Sequence, residues 1–325
     1  MKLVTLTPQS SFRTQLRSDT LFGLIAWGIR TLWGKDELVK MLDHFKSGNI
    51  PFLISSAFPF RKNASNETVY FLPKPIVRPP EIDAGHYDIE DMQNYKKYKK
   101  LRFVSYDLFN RLINGTCSEE DILREKCGTH LARGEAFEKS HIMHNVINRL
   151  TGTTRDAGLY YTEEYFPRNS GLFFLLDFRL DDYIEKIKAV WRLFNDIGMG
   201  GDVSIGKGLF KIKMEEADFL KTPDNANALV TLSLYFPQAS ERIAYTENAG
   251  VLWYELERRK GRVGGKLFKT ASFWKETVNV LREGSTFPNL GNDYYGSFPQ
   301  VKHLKDFDVY YYGLAFPVPM RMKES

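Results

Sequence analysis

The sequence has few of the features that would mark a secreted, membrane-spanning or metal-dependent protein. Its 325 residues include two cysteines, Cys117 and Cys127, which argues against a fold built on disulfides. The apolar run at residues 21–33 is too short to cross a bilayer and contains Arg30. The N-terminal stretch MKLVTLTPQSSFR lacks the pattern of a signal peptide. We therefore expect a cytoplasmic protein with no membrane contact.

Residue sets that bind metal ions are scarce as well. No cluster of carboxylates indicates a two-metal nuclease. Cys117, Cys127 and His130 are widely spaced and lack a fourth ligand, so they do not predict a zinc site. We expect no metal ion and no cofactor.

The chain is nevertheless well supplied with apolar and aromatic residues, and it is mildly basic. Hydrophobic residues make up 43% of it and aromatic residues 14%, which is enough for a sizeable core, and the length suggests two domains. A net charge of +5 and a pI of about 8.9 are compatible with a nucleic-acid partner without demonstrating one.

Residues 198–210, GMGGDVSIGKGLF, contain five glycines within eleven residues. Gly201, Gly206 and Lys207 match the opening of an ATPase phosphate-binding loop, which continues with Ser or Thr and then a helix. Here Gly208 follows, and the stretch lies between a predicted helix, DDYIEKIKAVWRLFND, and a predicted strand, LFKIKM. The missing hydroxyl and the reversed order of elements disfavour a nucleotide-triphosphate site.

Glycines allow backbone N–H groups to approach an anion closely, and a lysine adds a mobile positive charge. Such a loop suits an extended phosphodiester chain. The alternative is a flexible connection between helix and strand that binds nothing.

Hydrophobic periodicity predicts the element order of the first two thirds of the chain. We expect a strand at KLVTLTP, helices at SDTLFGLIAWGIRTLWG and DELVKMLDHFKSG, and strands at IPFLISSAFPF, AGLYYTEEYF and GLFFLLDFRL. Ser18, Asp19 and Thr20 are candidate caps of the first helix, and Asp181 or Asp182 of the helix before the glycines. Apart from an insertion at about residues 60–143, this is the ferredoxin-like order. Within the insertion, NYKKYKKLRF is either a solvated helix face or a contact to RNA or protein.

The remainder of the chain repeats this order more loosely. We expect a strand at ALVTLSLYFP, a hairpin at VLWYELERRKGRVGGKLF, a helix at SFWKETVNVLREG and a closing strand at FDVYYYGLAFPVP. The predicted fold class is α+β, with two ferredoxin-like (RRM-like) units and antiparallel sheets. The first unit spans residues 1–215 with its insertion, and the second spans residues 216–325.

Five segments in this order resemble one family: SDTLFGLIAWGIRTLWG, PFLISSAFPF, YFLPKPI, HNVINRLTGTT and GGDVSIGKGLF. The chain resembles the RAMP superfamily of CRISPR proteins, within its Cas-five-like group. It is most similar there to the fourth subunit of the Csm complex, the type III-A interference assembly.

The resemblance implies a subunit of an antiviral heteromeric complex that binds the repeat-derived 5′ handle of the CRISPR RNA. It also implies docking to the large polymerase-palm subunit and to the backbone RAMP subunit, and no catalysis of its own. Related RAMP subunits often carry Asp where this chain has Asn148.

The chemistry of the residues and the resemblance select the same candidate RNA contacts. Polar side chains and arginines suit single-stranded RNA, whose phosphates, 2′-hydroxyls and bases are all reachable. The alternatives are ordinary surface charges, a simple helix cap and a solvated hairpin tip. The candidates are Gly200, Gly201, Ser204, Gly206, Lys207 and Gly208 in the glycine stretch, His144, Asn145, Arg149, Thr153, Thr154 and Arg155 in HNVINRLTGTTRD, and Thr20, Lys260 and Arg262.

One catalytic alternative stays open. Metal-free RNA cleavage needs a general base and acid, histidine is the usual choice, and His141 and His144 are the nearest candidates. Because no second catalytic group is identifiable beside them, a metal-independent CRISPR RNA-processing endoribonuclease is the less favoured interpretation.

Overall fold

The computed structural model describes residues 1–79, 95–98, 100–123, 130–132, 137–166, 169–218, 220–263, 274–304 and 307–322. The helices with assigned bounds are α1 (Ser18–Trp33), α2 (Lys35–Lys46), α3 (Tyr106–Ile113), α4 (Glu119–Leu123), α5 (Asp182–Ile197) and α6 (Ala239–Glu247). The first ten strands are β1 (Lys2–Pro8), β2 (Phe52–Ile54), β3 (Phe58–Lys62), β4 (Thr68–Pro73), β5 (Leu101–Ser105), β6 (His130–Ala132), β7 (Glu138–Ile147), β8 (Thr154–Phe166), β9 (Ser170–Phe178) and β10 (Phe210–Glu216). The later strands are β11 (Ala228–Thr231), β12 (Leu256–Arg259), β13 (Val278–Leu281), β14 (Thr286–Pro288), β15 (Gly296–Ser297), β16 (Gln300–Leu304), β17 (Phe307–Tyr310), β18 (Gly313–Leu314) and β19 (Pro317–Met320).

The main sheet is antiparallel in its described pairings and follows the order β10-β1-β9-β3-β4-β5-β6, with β2 also paired to β9. Its central strand, β9, is a continuous apolar run that is buried over most of its length, as expected for a strand covered on both faces. On one side Leu6 lies opposite Leu172, and on the other Phe58 lies opposite Phe173. The predicted insertion therefore contributes β4, β5 and β6 to one edge of this sheet.

Helices α1 and α5 pack in the same hydrophobic core as the main sheet. Leu21, Ile25 and Ile29 recur every four residues along α1, and all three are fully buried. A Cβ atom at Gly28 would overlap the side chain of Val190 on α5, so this glycine sets how closely the two helices approach.

The C-terminal region consists mostly of short strands around a three-stranded sheet of order β14-β11-β19. It shares a continuous core with the N-terminal region, since Phe52, Tyr312 and Val318 belong to one cluster of buried residues. The amide of Ile54 also donates a hydrogen bond to the Tyr312 hydroxyl across the two regions at 2.9 Å.

The helix predicted at residues 272–284 is wrong. The described part of this segment contains β13, whose Val278 and Leu281 lie opposite Arg259 and Leu256 of β12. Valines at alternate positions fit a half-buried strand better than a helix once a partner strand is available. Helix α6 was not predicted. It begins with a capping box in which Gln238 and Glu241 bind each other's backbone amides.

The predicted hairpin at residues 251–268 is only partly described. Its first arm contains β12, which pairs with β13 and so with a strand beyond the predicted hairpin. Residues 264–268 of the prediction lie outside the described part of the chain.

The predicted cap of α1 is wrong, whereas that of α5 is confirmed in position. Asp181 occupies the N-cap position of α5, and Arg17 occupies that of α1, but neither side chain makes the capping hydrogen bond. The amide of Ser18 donates instead to the Ser56 hydroxyl at 3.0 Å, while the Ser18 hydroxyl accepts from the amide of Leu234 at 3.0 Å. At the start of α1, the Ser56 hydroxyl from a distant segment thus takes the place of the local cap that the sequence predicted.

Candidate nucleic-acid interface

The glycine loop, residues 198–210, joins the end of α5 to β10 through an irregular backbone. Gly198, Gly200, Gly206 and Gly208 have φ angles of 80°, 97°, 84° and 71°, in the region that favours glycine. A short 3-10 turn at Val203–Ile205 separates the two pairs of glycines. The glycines are therefore required by the loop's path as well as by any ligand.

The segment Gln9–Thr14, between β1 and α1, holds the glycine loop in place. The amide of Gly208 donates to the carbonyl of Ser11 at 2.8 Å, and the amide of Gly201 donates to the Thr14 hydroxyl at 2.9 Å. The amide of Gly206 closes the 3-10 turn on Val203 at 3.0 Å.

Three of the predicted backbone donors are thus already engaged within the chain. Among the described residues of the loop, the amides of Gly200, Asp202, Val203 and Ser204 make no hydrogen bond. Gly200 and Ser204 are exposed, so their amides are candidate anion donors. Open space also surrounds Gly206, where a Cβ atom would meet nothing within 4 Å.

Two ion pairs fix the loop from its sides. Arg13 pairs with Asp202, and Lys207 pairs with Glu164 on β8. Glu164 is buried, with 2% of its side chain exposed, and it also accepts a hydrogen bond from the Ser11 hydroxyl at 2.9 Å. Burial alone would raise the pKa of Glu164, but the hydrogen bonds from Lys207 and Ser11 outweigh it, so this pKa lies below its ordinary value. Lys207 therefore positions the loop against β8, and an RNA phosphate would have to share this cation with Glu164.

The second group of candidates lies on the ribbon formed by β7 and β8, which pair antiparallel from Glu138 opposite Phe166 to the turn near Asn148. At its base, Phe12 and Tyr165 exchange two backbone hydrogen bonds, of 3.2 and 2.8 Å. Because Gln9–Thr14 also holds the glycine loop, that segment lies between the loop and the ribbon. His144 and Asn145 lie on β7, Arg149 and Thr153 lie in the exposed turn, and Thr154 and Arg155 begin β8, the side chain of Arg155 being outside the described ones.

Asn148 shapes the ribbon's turn. Its amide donates to the carbonyl of Thr153 at 2.9 Å, and its side-chain oxygen accepts from the amide of Leu150 at 3.0 Å. The amide side chain of Asn148 therefore has a structural partner within the turn.

Sequence reasoning missed the apolar character of the ribbon. Leu150 at the turn is 97% exposed, and the ribbon presents further exposed apolar side chains on both strands. They are Met143, Val146, Ile147, Leu159, Tyr160 and Tyr161. The available signal was the mixture of apolar and polar residues in HNVINRLTGTT, whose apolar side chains are exposed on both faces of the ribbon.

The third group of candidates meets at the N-terminus of α1. Thr20 donates to Asp19 at 3.2 Å, and Asp19 is bound by two nitrogens of Arg259 on β12. Beyond β12, Lys260 and Arg262 lie over the ring of Trp274, at 5.6 and 4.8 Å from its centroid. Thr20 and Arg262 also line a single cleft of about 770 Å³ between α1, α2 and the C-terminal strands.

The two histidines of the ribbon each have defined neighbours. His144 shares a hydrogen bond of 2.9 Å with the Thr162 hydroxyl and stacks on Tyr160, while His141 lies opposite Glu163 in the ribbon. The Thr162 hydroxyl and the Tyr160 ring hold the imidazole of His144 in place, and the Glu163 carboxylate opposite His141 already pairs with Lys139 at 2.8 Å.

Within the described residues, no group of three or more His, Cys, Asp or Glu side chains is placed to hold a metal ion. Cys117 is buried, Cys127 lies outside the described residues, and His130 lies on β6 with a side chain that is likewise outside them. Among the described helices, none is long and apolar enough to cross a membrane.

Comparison with known proteins identifies two matching families. Residues 12–211 match the RAMP superfamily, and residues 224–320 match the CRISPR Csm4 C-terminal domain. A protein of Thermococcus onnurineus (strain NA1) called CRISPR system Cms protein Csm4 is 29% identical, over 99% of this chain and 97% of its own length. The protein of the same name from Methanocaldococcus jannaschii is 22% identical, over 90% of this chain and 83% of its own length.

Solved structures share the fold. A chain of a Csm1–Csm4 cassette crystallised with cA4 matches with a TM-score of 0.65 at 21% identity, over 100% of this chain and 99% of that chain. A chain of the Csm3–Csm4 subcomplex of a type III-A CRISPR-Cas interference complex matches with a TM-score of 0.63 at 21% identity, over 99% of this chain and 100% of that chain. The mixed α and β architecture with antiparallel sheets is therefore as predicted. Because the superfamily match covers more than half of the sequence, the chain belongs to the RAMP superfamily, and its predicted resemblance to the fourth subunit of the Csm complex is confirmed.

Proposed function

We propose that this chain is a non-catalytic subunit of a type III-A CRISPR antiviral complex that binds the repeat-derived 5′ handle of the CRISPR RNA. The observation that carries the proposal is the junction of the glycine loop with the base of the β7–β8 ribbon, made by Lys207 and Glu164. This junction joins two separately predicted groups of RNA contacts. It attaches the loop, with its unbonded backbone amides, to the base of the ribbon that carries the polar side chains, which supports one extended single strand following both.

Phosphate contacts and base contacts have different roles in this proposal. The amides of Gly200 and Ser204, with Arg149 and the threonines of the ribbon, hold phosphates and sugars and supply affinity. Bases turned outward from the RNA supply specificity.

Two protein partners belong to the same proposal. The matching chains come from assemblies described as Csm1–Csm4 and Csm3–Csm4, which supports docking of this chain to a large polymerase-palm subunit and to a backbone RAMP subunit. We place such an assembly in the cytoplasm. We also retain two ferredoxin-like units with a boundary near residue 215, which the family matches ending at 211 and beginning at 224 support.

Affinity purification of the tagged chain from its host tests the proposal directly. The bound RNA is sequenced and the bound proteins are identified. We expect RNAs that share one repeat-derived 5′ end, together with a large polymerase-palm protein and a RAMP protein. Recovery of neither would contradict the proposal.

A pair of glycine variants tests the role of the loop within the same purification. Gly206→Val places a side chain in open space beside the loop, and we expect it to reduce the recovered RNA strongly. Gly291→Val is the matched control, because Gly291 also has a positive φ, 71°, and a Cβ there would also meet nothing within 4 Å. Equal RNA recovery with both variants would separate the loop from RNA binding.

A further inference from the structure

A second, smaller cavity lies between the ribbon base and β12. It is a groove of about 240 Å³, lined by Phe12, by residues 15–17 just before α1, and by residues of β3, β4, β5, the ribbon, β9 and β12. Pockets for drug-sized ligands occupy roughly 300–1,000 Å³, so this groove has room for a single ring system. We call it the aromatic groove.

Two phenylalanines form the open walls of the aromatic groove. Phe103 on β5 and Phe137 ahead of β7 are half-buried, and both pack against Phe71 beneath them. Phe137 also contacts the ring of Phe12 edge-on, with centroids 5.3 Å apart, and Phe12 stacks on Tyr165 at 5.4 Å. Packing against Phe71 and Phe12 therefore holds these two aromatic walls in position.

Charged side chains surround the other end of the groove. Arg17 binds Glu283 through two nitrogens and Glu257 through a third, which places one arginine between two carboxylates. Both described cation contacts of Glu257, from Arg17 and Arg259, go to its Oε1 atom. A carboxylate has about four acceptor sites, so Glu257 retains capacity for a further donor.

The groove adjoins the group of candidate RNA contacts at the N-terminus of α1, because Glu257 contacts Arg259, the partner of Asp19. Tyr165 lines the groove from the face of β8 opposite to Glu164, the partner of Lys207. An RNA strand that passes from the base of the ribbon to the N-terminus of α1 would cross the groove. An aliphatic side chain of a partner protein would fill its aromatic part but satisfy none of its charged end, whereas a planar ring with a polar edge satisfies both.

We propose that the aromatic groove holds one unstacked nucleobase of the bound RNA, stacked against Phe137 and Phe103, with Glu257 accepting a hydrogen bond from the base's exocyclic amino group. This inference rests on the proposed RNA-binding function and adds a position and a chemical preference to it. Adenine, cytosine and guanine carry such an amino group, whereas uracil offers only its ring N3–H, so the groove favours these three bases over uracil.

The test uses the complex purified from its host and synthetic RNAs that carry the recovered 5′ end. One nucleotide at a time is replaced by an abasic residue. Stacking is worth roughly 1–3 kcal/mol per base, so we expect one position at which removing the base weakens binding by about 5- to 140-fold. Uridine at that position should also weaken binding relative to the recovered base.

Protein variants assign that position to the groove. In Phe137→Ala the abasic penalty at that single position should disappear, while the penalties at other positions persist. Phe298→Ala is the matched control, because Phe298 is also a half-buried, stacked phenylalanine but lies outside the groove. Glu257→Gln tests the polar edge separately and should remove the discrimination against uridine.

The outcomes separate this inference from the proposed function. RNA binding without any position coupled to Phe137 would overturn the base pocket and leave RNA binding intact. Unaltered abasic penalties together with loss of a protein partner in Phe137→Ala would show that a protein side chain fills the groove. If no RNA is recovered with the wild-type chain, the proposed function itself is wrong.

Discussion

The glycine loop and the β7–β8 ribbon carry most of the predicted RNA contacts, but the protein holds them in opposite ways. Hydrogen bonds to Gln9–Thr14 and two ion pairs fix the loop, and its key lysine binds a buried carboxylate. The ribbon extends from the fold and exposes its turn, including Leu150 and Arg149. Substitutions in the loop therefore act first on folding, whereas substitutions in the ribbon's turn act on a ligand directly.

The largest expected effect is at Gly208. In Gly208→Ala, the new Cβ would overlap the carbonyl oxygen of Met199, and the residue would have to keep a φ of 71°. The left-handed backbone costs about 1–2 kcal/mol and overpacking about 1–3 kcal/mol, so we expect the free energy of unfolding to fall by about 2–5 kcal/mol. Chemical denaturation measures this change.

Gly206→Ala is the control for that prediction. Gly206 has a φ of 84° but open space around it, so only the backbone cost of about 1–2 kcal/mol applies. Equal losses in the two variants would mean that the loop is not packed tightly against Met199.

The next effect concerns Lys207. Lys207→Ala leaves the carboxylate of Glu164 buried without its cation, and breaking a buried pair costs about 3–5 kcal/mol. Because 16% of the Lys207 side chain is exposed, we expect a loss of about 2–4 kcal/mol in the free energy of unfolding. Denaturation of the purified variant measures it.

The double variant Lys207→Ala, Glu164→Gln separates the lysine's two roles. Removing the buried charge as well should restore much of the stability. If RNA affinity stays low in this stable variant, Lys207 contacts phosphate. If affinity returns with stability, the lysine serves only to hold the loop.

This ambiguity shows how far the sequence could predict the site. The glycine stretch and the position of Lys207 are local features, and the strand–helix periodicity around them predicted α1, α5 and β1 correctly. The partner of Lys207 lies 43 residues away on another strand, and no local pattern identifies it. The same reason explains the C-terminal error, because VNVL becomes β13 only through its pairing with β12.

Acid should weaken the loop's attachment through Glu164. Its pKa lies below the ordinary value of 4.5, so the stabilisation is fully present above about pH 4.5 and is lost as the pH falls through the lowered value. We expect the Glu164→Gln variant to lose less stability than the wild type when acidified below pH 4.5. Unfolding free energies measured across this range test the sign.

Glu185→Gln is the control for the acid series. Glu185 also pairs with a lysine, Lys188, and its pKa is also lowered by that hydrogen bond, but 74% of its side chain is exposed. Solvent screens an exposed pair, so its removal should change the pH dependence much less. If Glu185→Gln changed the pH dependence of the unfolding free energy more than Glu164→Gln, Glu164 would not be the carboxylate that holds the loop.

The smallest effect on stability is expected at Arg149, where the comparison between loop and ribbon is sharpest. Arg149 lies in the exposed turn, so Arg149→Ala should change the free energy of unfolding by at most about 0.5 kcal/mol. If Arg149 contacts one phosphate, RNA affinity should fall for every sequence tested, and the slope of log affinity against log salt should decrease in magnitude by about one.

Arg242→Ala, at an exposed arginine on α6, is the matched control and should leave that slope unchanged. Equal slopes for the two variants would mean that the ribbon's turn does not meet the RNA backbone, and the exposed apolar side chains beside it would then indicate a protein partner for the ribbon.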